Sequence, residues 1–176
     1  RAAAQTLSSM EPEAREAIGP LRTALGDTDS AVRALAAKAL GELGAAAAEA
    51  VPDLISHFND PDPGTSAASS GALAKIGSPA VEALLKACRS EDARVRMGAE
   101  SALVGMGTGA REALPLFLER LKDPNVLERR VAVYKVGIIG NGDPRAIHAL
   151  TDLLKDPDTE MRRSAAELLG SMGGAA

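Results

Sequence analysis

DTDSAVRALAAKALGELG, residues 27–44, ends on a glycine and returns four more times in altered form. The other copies are residues 60–77, 90–107, 123–140 and 156–173, closing on Gly77, Gly107, Gly140 and Gly173 after Gly44. The closing glycines stand 33, 30, 33 and 33 residues apart. A fixed period of this size marks a solenoid, in which each repeat is one small helical unit that buries its apolar face only by stacking on its neighbours.

Within residues 27–44, Val32, Ala36, Ala39, Leu40 and Leu43 recur at helical spacing and form the expected inward face. Asp29 is placed to cap that helix, because a carboxylate accepts the free N–H groups of a first turn, and Gly44 supplies its stop. Upstream, residues 12–25 read as a partner helix with Ile18, Leu21 and Leu25 on one face. The same ladder returns as Val51, Leu54, Phe58; Val81, Leu84, Cys88; Leu114, Phe117, Leu121; and Ile147, Leu150, Leu154. The later second helices carry Val95, Ala99, Ala102, Leu103 and Met106; Ala132, Val136 and Ile139; and Met161, Ala165, Leu169 and Met172.

The chain therefore reads as one solenoid domain, residues 1–176: a leading half repeat at 1–10, then repeats at about 11–44, 45–77, 78–107, 108–140 and 141–173. That predicts an all-α fold of about eleven helices. The second helix of repeat two should be its weakest element, because Gly64, Thr65, Ser66, Ser69, Ser70 and Gly71 replace better helix formers. The first residue is Arg1 within a helical pattern, so the sequence is expected to be a piece of a longer protein. Its end faces, near Leu7 and Leu169, would then favour end-to-end association of the fragment.

Composition supports close helix packing. Aromatics are 2% and hydrophobic residues 45%, much of it alanine, which favours helices and lets backbones approach. The net charge of −4, with both signs interspersed, argues against nucleic acid, whose binders carry a basic stripe. The single cysteine, Cys88, permits no internal disulfide. No run reaches the roughly 18 apolar residues that suggest a membrane span, and no signal peptide is visible; a cytoplasmic protein is expected.

The pattern resembles HEAT repeats of the short, Ala/Gly-rich bacterial and archaeal kind, the phycobilisome-lyase type. AVPDLISHFND (residues 50–60) and ALPLFLERLKD (residues 113–123) match the first helix, with Pro52 and Pro115 in place. Asp27, Asp60, Asp123 and Asp156 match the interhelix aspartate; Arg33, Arg96, Arg129 and Arg162 match the arginine six residues on. Ser90 and Ser66 replace one member of each series, and Gly19, Glu82 and His148 stand at the proline position. No Thr-Pro-Leu-His run of ankyrin repeats occurs, and the large aromatics of tetratricopeptide repeats are nearly absent. The resemblance implies a right-handed α–α superhelix, a mostly non-catalytic scaffold, and second helices that line a concave face where partners bind. It also implies that the Asp/Arg series is a structural ladder, each Arg bridging to the interhelix Asp of its own or the next repeat and so tying the loops together.

The candidates for chemistry are few. His57 and His148, the only histidines, have no second histidine at i+3 or i+4 and are expected on the surface of the outer helices, with no metal and no cofactor. HEAT-type deoxyhypusine hydroxylase carries His-Glu dipeptides for iron, whereas here Phe58 follows His57 and Ala149 follows His148. Cys88 falls on the buried ladder, and the Gly-x-Gly runs at 105–107, 107–109 and 140–142 lack a preceding strand.

That leaves the exposed face of the second helices. A helical wheel turns positions 34, 38 and 41 and their counterparts outward. The first two series end in Met97, Arg130 and Arg163, and in Tyr134 and Glu167. The third series is Gly41, Ala74, Val104, Gly137 and Gly170. An exposed Tyr between arginines is hot-spot chemistry, so Met97, Arg130, Tyr134, Arg163 and Glu167 are the expected partner-binding residues. The expected function is a non-catalytic protein–protein scaffold that holds a protein or peptide on this face, without nucleic acid or membrane insertion. Two alternatives follow from the resemblance: a bilin-lyase-like protein that holds a tetrapyrrole, and a nucleic-acid-binding solenoid like the HEAT-like DNA glycosylases.

Overall fold

The structure, a computed structural model, describes residues 15–173. The half repeat expected at residues 1–10 lies outside the described residues. Among those described there are ten α-helices from Ile18 onward and no strand. The helices are α1 (Ile18–Ala24), α2 (Ser30–Glu42), α3 (Val51–Ser56), α4 (Pro63–Ile76) and α5 (Ser78–Ala87). Then come α6 (Ala93–Gly105), α7 (Leu114–Arg120), α8 (Val126–Ile139), α9 (Pro144–Leu153) and α10 (Thr159–Gly173). The fold is all-α and of the HEAT-like solenoid class, with helix pairs stacked on helix pairs.

Two compact units meet at the closing glycine of repeat three: one ends at Met106 and the other starts at Gly107. In the first, α2, α4 and α6 pack side by side with α3 and α5 behind them. Its core is Leu25, Leu40, Leu54, Phe58, Leu73, Ile76, Leu84 and Leu103, each 2% exposed or less. In the second, α8 packs against α7 and α10, and α9 against α10, around Leu114, Phe117, Ile139 and Leu150.

The same capping rule starts every second helix. Asp29, Asp62, Asp92 and Asn125 sit in extended backbone and accept the N–H of Ala31, Thr65, Arg94 and Leu127, and Asp158 accepts that of Glu160. Each satisfies a donor that the first turn leaves free. At the other end Gly44, Gly77 and Gly107 take positive φ, +59°, +76° and +56°, where a side chain would be strained. Gly140 departs from the series with φ −92°; there Cβ would fall 2.4 Å from Ala146 Cβ, so close packing excludes a side chain, and Gly142 makes the left-handed turn.

Packing between repeats adds two details to this pattern and changes one expectation. The alanine-rich connectors Gly44–Ala50 and Gly107–Ala113 are 3-10 turns, and Ala47, Ala50, Ala110 and Ala113 within them are fully buried. Helix α4 is complete over 14 residues despite its composition. Its small residues let neighbours come close: a Cβ on Gly41 would lie 2.8 Å from Ala72 Cα, and one on Gly105 would lie 2.9 Å from Ala74 Cβ. Tertiary packing overrides weak propensity there. Finally, Val32 is 37% exposed, and Ile147 and Leu154 are 40% exposed each, although the periodicity placed all three inward. Ala37 takes the buried place expected for Val32, and no described element covers the side of α9 that bears Ile147 and Leu154.

Candidate partner-binding surface

The Asp/Arg series belongs to the loops at the helix starts. Asp27, Asp60, Asp123 and Asp156 each accept the N–H two residues on, at 2.8 Å, which closes the turn into the second helix. The arginine six residues later donates back to the loop. Arg33 reaches the carbonyls of Asp27 and Thr28, Arg96 those of Ser90 and Glu91, Arg129 those of Asp123 and Pro124, and Arg162 those of Asp156 and Pro157. Arg33 alone also makes a fork onto the next repeat, with Nε and Nη2 each 2.8 Å from an oxygen of Asp60. Hydrogen bonding from Arg33 holds the Asp60 carboxyl below its usual range against the opposing effect of burial.

In the second unit, α8 and α10 carry four of the expected binding residues. Arg130 and Tyr134 stand one turn apart on α8 and so share a face. Tyr134 is 63% exposed, with no hydrogen bond to another described residue. Arg130 is tied to Asp158 at 2.7 Å, and Arg163 to Glu167 at 3.0 Å. The Arg130 hydrogen bond pushes Asp158 below its ordinary value, opposed by burial, and Asp158 also caps α10. Both arginines therefore enter the surface already paired within the chain.

Leu127 and Val131, which the wheel did not select, lie in the same row as Tyr134 at one-turn steps and are 62% and 49% exposed. The signal was present in the sequence as an apolar series at 127, 131 and 134 on the side of α8 away from Ala132, Val136 and Ile139. The wheel's third outward position holds only in part: Gly170 is exposed, Ala74 and Val104 are half-buried, and Gly41 and Gly137 are buried, Gly41 against Ala72 and Gly137 against Leu168, because adjacent second helices meet there.

In the first unit, Met97 on α6 is 69% exposed. It forms one wall of a groove of about 360 Å³ between α4 and α6, with Arg94 and Ser101 beside it and Phe58, Ala67 and Gly98 among the other lining residues. A second groove of about 410 Å³ runs along the other flank of α4, between Lys38 and Glu42 of α2 and Ala67, Gly71 and Lys75 of α4.

The titratable groups elsewhere have structural work. His57 is half-buried, not on the surface as expected: Nε2 lies 2.8 Å from the Leu25 carbonyl and Nδ1 2.8 Å from that of Asp53, so the ring joins repeat one to repeat two. His148 is exposed and 3.5 Å from Asp152. Cys88 is buried in the ladder. Among the described residues no three His, Cys, Asp or Glu side chains are grouped to hold a metal ion, and no helix is long and apolar enough to cross a membrane.

The family model described as HEAT repeats matches residues 1–68, 20–104, 51–137 and 114–176, which together span the chain. The chain belongs to the HEAT-repeat family. No curated protein matches it in sequence. Several solved structures share its fold. The complex of CpcE and CpcF of phycocyanin lyase from a Nostoc species overlaps 87% of this chain and 98% of its own, with a TM-score of 0.56 and 24% identity. An archaeal HEAT-like repeat protein from Thermococcus onnurineus overlaps 98% of this chain and 79% of its own, with a TM-score of 0.53 and 15% identity. A designed armadillo repeat protein in complex with the peptide (KR)4 overlaps 98% and 90%, with a TM-score of 0.52 and 18% identity. This HEAT-repeat protein carries an exposed apolar row on α8 in one unit and grooves beside α4 in the other.

Proposed function

We propose that this HEAT-repeat protein is a non-catalytic scaffold whose second helices hold a protein or peptide partner, with Tyr134 as the central anchor. The observation that carries the reading is the exposed row Leu127, Val131 and Tyr134 on one face of α8. Apolar side chains in a continuous row on a helix mark a recognition face rather than scattered surface residues. Arg130 and Arg163, each held by a carboxylate of the same chain, frame the row as a polar rim. Glu167 on α10 continues the same register within the second unit, and Met97 holds in the sequence of α6 the place that Arg130 holds in α8.

Wild-type protein immobilised beside a Tyr134→Ala/Arg130→Ala variant of equal helicity tests this in lysate of the source organism. A partner captured by wild type should be lost by the double variant and by Leu127→Ser, a drop of about tenfold or more for a central anchor. Capture that is equal in all three would refute the assignment to α8.

A second reading is a lyase-like subunit that holds a tetrapyrrole together with another solenoid. It is supported by the overlap with the CpcE and CpcF complex over nearly the full length of both chains. Mixing with bilin and recording the visible spectrum tests it: a shifted, saturable absorbance band favours the reading, and an unchanged bilin spectrum removes it.

A further inference from the structure

We infer that the groove between α4 and α6 takes an arginine side chain of a partner protein, whose guanidinium docks on the loop carbonyls of Asp60 and Pro61. The site lies in the first unit and does not depend on the α8 row.

The other repeats show what this position binds. In four of the five, the arginine six residues after the start of the interhelix loop turns back, and its Nη1 donates to two successive loop carbonyls at 2.6–3.3 Å. Repeat two breaks the series, because Ser66 stands at that place. Its hydroxyl donates instead to the Phe58 carbonyl at 3.2 Å. The Asp60 and Pro61 carbonyls accept no hydrogen bond from another described residue. Backbone carbonyls are strong acceptors, and folded chains pair them wherever a donor can reach.

The space that the missing side chain would fill is open. The groove of about 360 Å³ between α4 and α6 has Asp60, Pro61 and Ser66 in its lining, so it opens onto the place that a guanidinium fills in the sister loops. Phe58 and Met97 in the same lining offer apolar contact to an arginine stem.

The charges agree. Arg33 of the preceding repeat already takes both oxygens of the Asp60 carboxylate, which leaves the carbonyls to an incoming group. Asp62, the cap of α4, is in no ion pair with a described residue, whereas its counterpart Asp158 is held by Arg130 at 2.7 Å. Arginine is the side chain that the four sister loops hold, and its planar Nη1 brings two N–H donors in fixed geometry to two carbonyls. Arg94 is the one cation in the lining; it is exposed, and its guanidinium donates to no described residue. It therefore opposes the incoming charge without occupying the carbonyls.

The test is an amide NMR titration with Nα-acetyl-arginine methylamide, beside the matching lysine compound. The arginine compound should shift the Asp62, Ser66 and Gly98 amides saturably, and the lysine compound should bind more weakly. Ser66→Arg supplies the guanidinium from within the chain and should abolish the saturable shifts. It should fold with a urea midpoint at or above wild type, since arginine favours helix over serine. Ser66→Ala keeps the space open and should bind as wild type does. Asp62→Asn keeps a capping side chain and removes a charge, so binding should weaken about twofold or more, while Arg94→Ala should strengthen it. No saturable shift, an equal response to the lysine compound, undiminished binding in Ser66→Arg, a Ser66→Arg chain that fails to fold, or loss of binding in Ser66→Ala would each overturn the inference. Loss in Tyr134→Ala alone would move the arginine to α8, overturning this inference and leaving the reading of α8 intact.

Discussion

Gly98→Ala and Gly71→Ala make the same chemical change in neighbouring second helices and should move stability in opposite directions. In both, replacing a helix-interior glycine by alanine contributes about 1 kcal/mol in favour of the helix. At Gly98 the new methyl would fall 2.4 Å, 2.5 Å and 2.9 Å from three carbons of the Phe58 ring. Phe58 is 2% exposed in the core, and overpacking of this kind costs roughly 1–3 kcal/mol. Three ring carbons inside contact distance put this site at the upper end, leaving a net loss of about 1–2 kcal/mol. At Gly71 nothing opposes the helix term, so the variant gains about 1 kcal/mol. Urea unfolding followed by far-ultraviolet circular dichroism reads both, with midpoints compared at unchanged slope because stacked repeats share their cooperativity. Thermal midpoints should shift by about 2–4 °C per kcal/mol for a chain of this size. Shortening the ring in Gly98→Ala/Phe58→Leu should destabilise by less than the sum of the two single changes, since the clash is with the ring itself. A Gly98→Ala midpoint at or above wild type, or a Gly71→Ala midpoint below it, would refute this account of the packing.

Two further outcomes follow from the ion pairs. Arg33→Ala should lower the urea midpoint more than Arg129→Ala does: Arg33 leaves behind a 5% exposed Asp60 carboxylate, whereas among described partners Arg129 gives up only loop carbonyls. Stability should also fall in acid. Asp143, held by the Arg145 side chain and N–H and by the field of Arg111, is lowered from 3.8 to about 2. A carboxyl depressed in the native state binds fewer protons than in the unfolded chain, so its contribution is present above 3.8 and is lost as pH falls through about 2. Asp60, Asp92 and Asp158 are shifted the same way and add to the loss. Asp143→Asn should flatten the acid limb of a stability–pH curve, and an unchanged limb would contradict the assignment.

The repeat and its helices were legible because they are set by local chemistry repeated five times: a capping Asp or Asn, an apolar face and, in most repeats, a glycine stop. Residues 27–44 alone contain all three. What the pattern did not carry was contact between repeats. The hydrogen bond from His57 to the Leu25 carbonyl spans 32 residues, and nothing in the neighbourhood of either residue announces it. The fork from Arg33 to Asp60 was read as one of two options, its own repeat or the next, and only geometry separates them.

One edge of the exposed face, the third wheel position, was misdrawn for a geometric reason. A surface helix on a globule has one buried side, so a two-sided wheel serves. A second helix in a stack meets its own first helix and also a neighbouring second helix: α2 meets α1 and α4, and α8 meets α7 and α10. In α2 this buries Ala36, Ala37, Leu40 and Gly41. In α8 it buries Ala132, Val133, Val136, Gly137 and Ile139. Solvent then reaches a strip that in α2 runs through positions 31, 32, 35, 38 and 42 and in α8 through 127, 128, 130, 131 and 134. Glycine at 41 and 137 signals helix-to-helix approach, while glycine at 71, with open space above it, signals the reverse. The residue type is the same at all three positions, and only the distance to the nearest atom tells a packing glycine from one that faces open space.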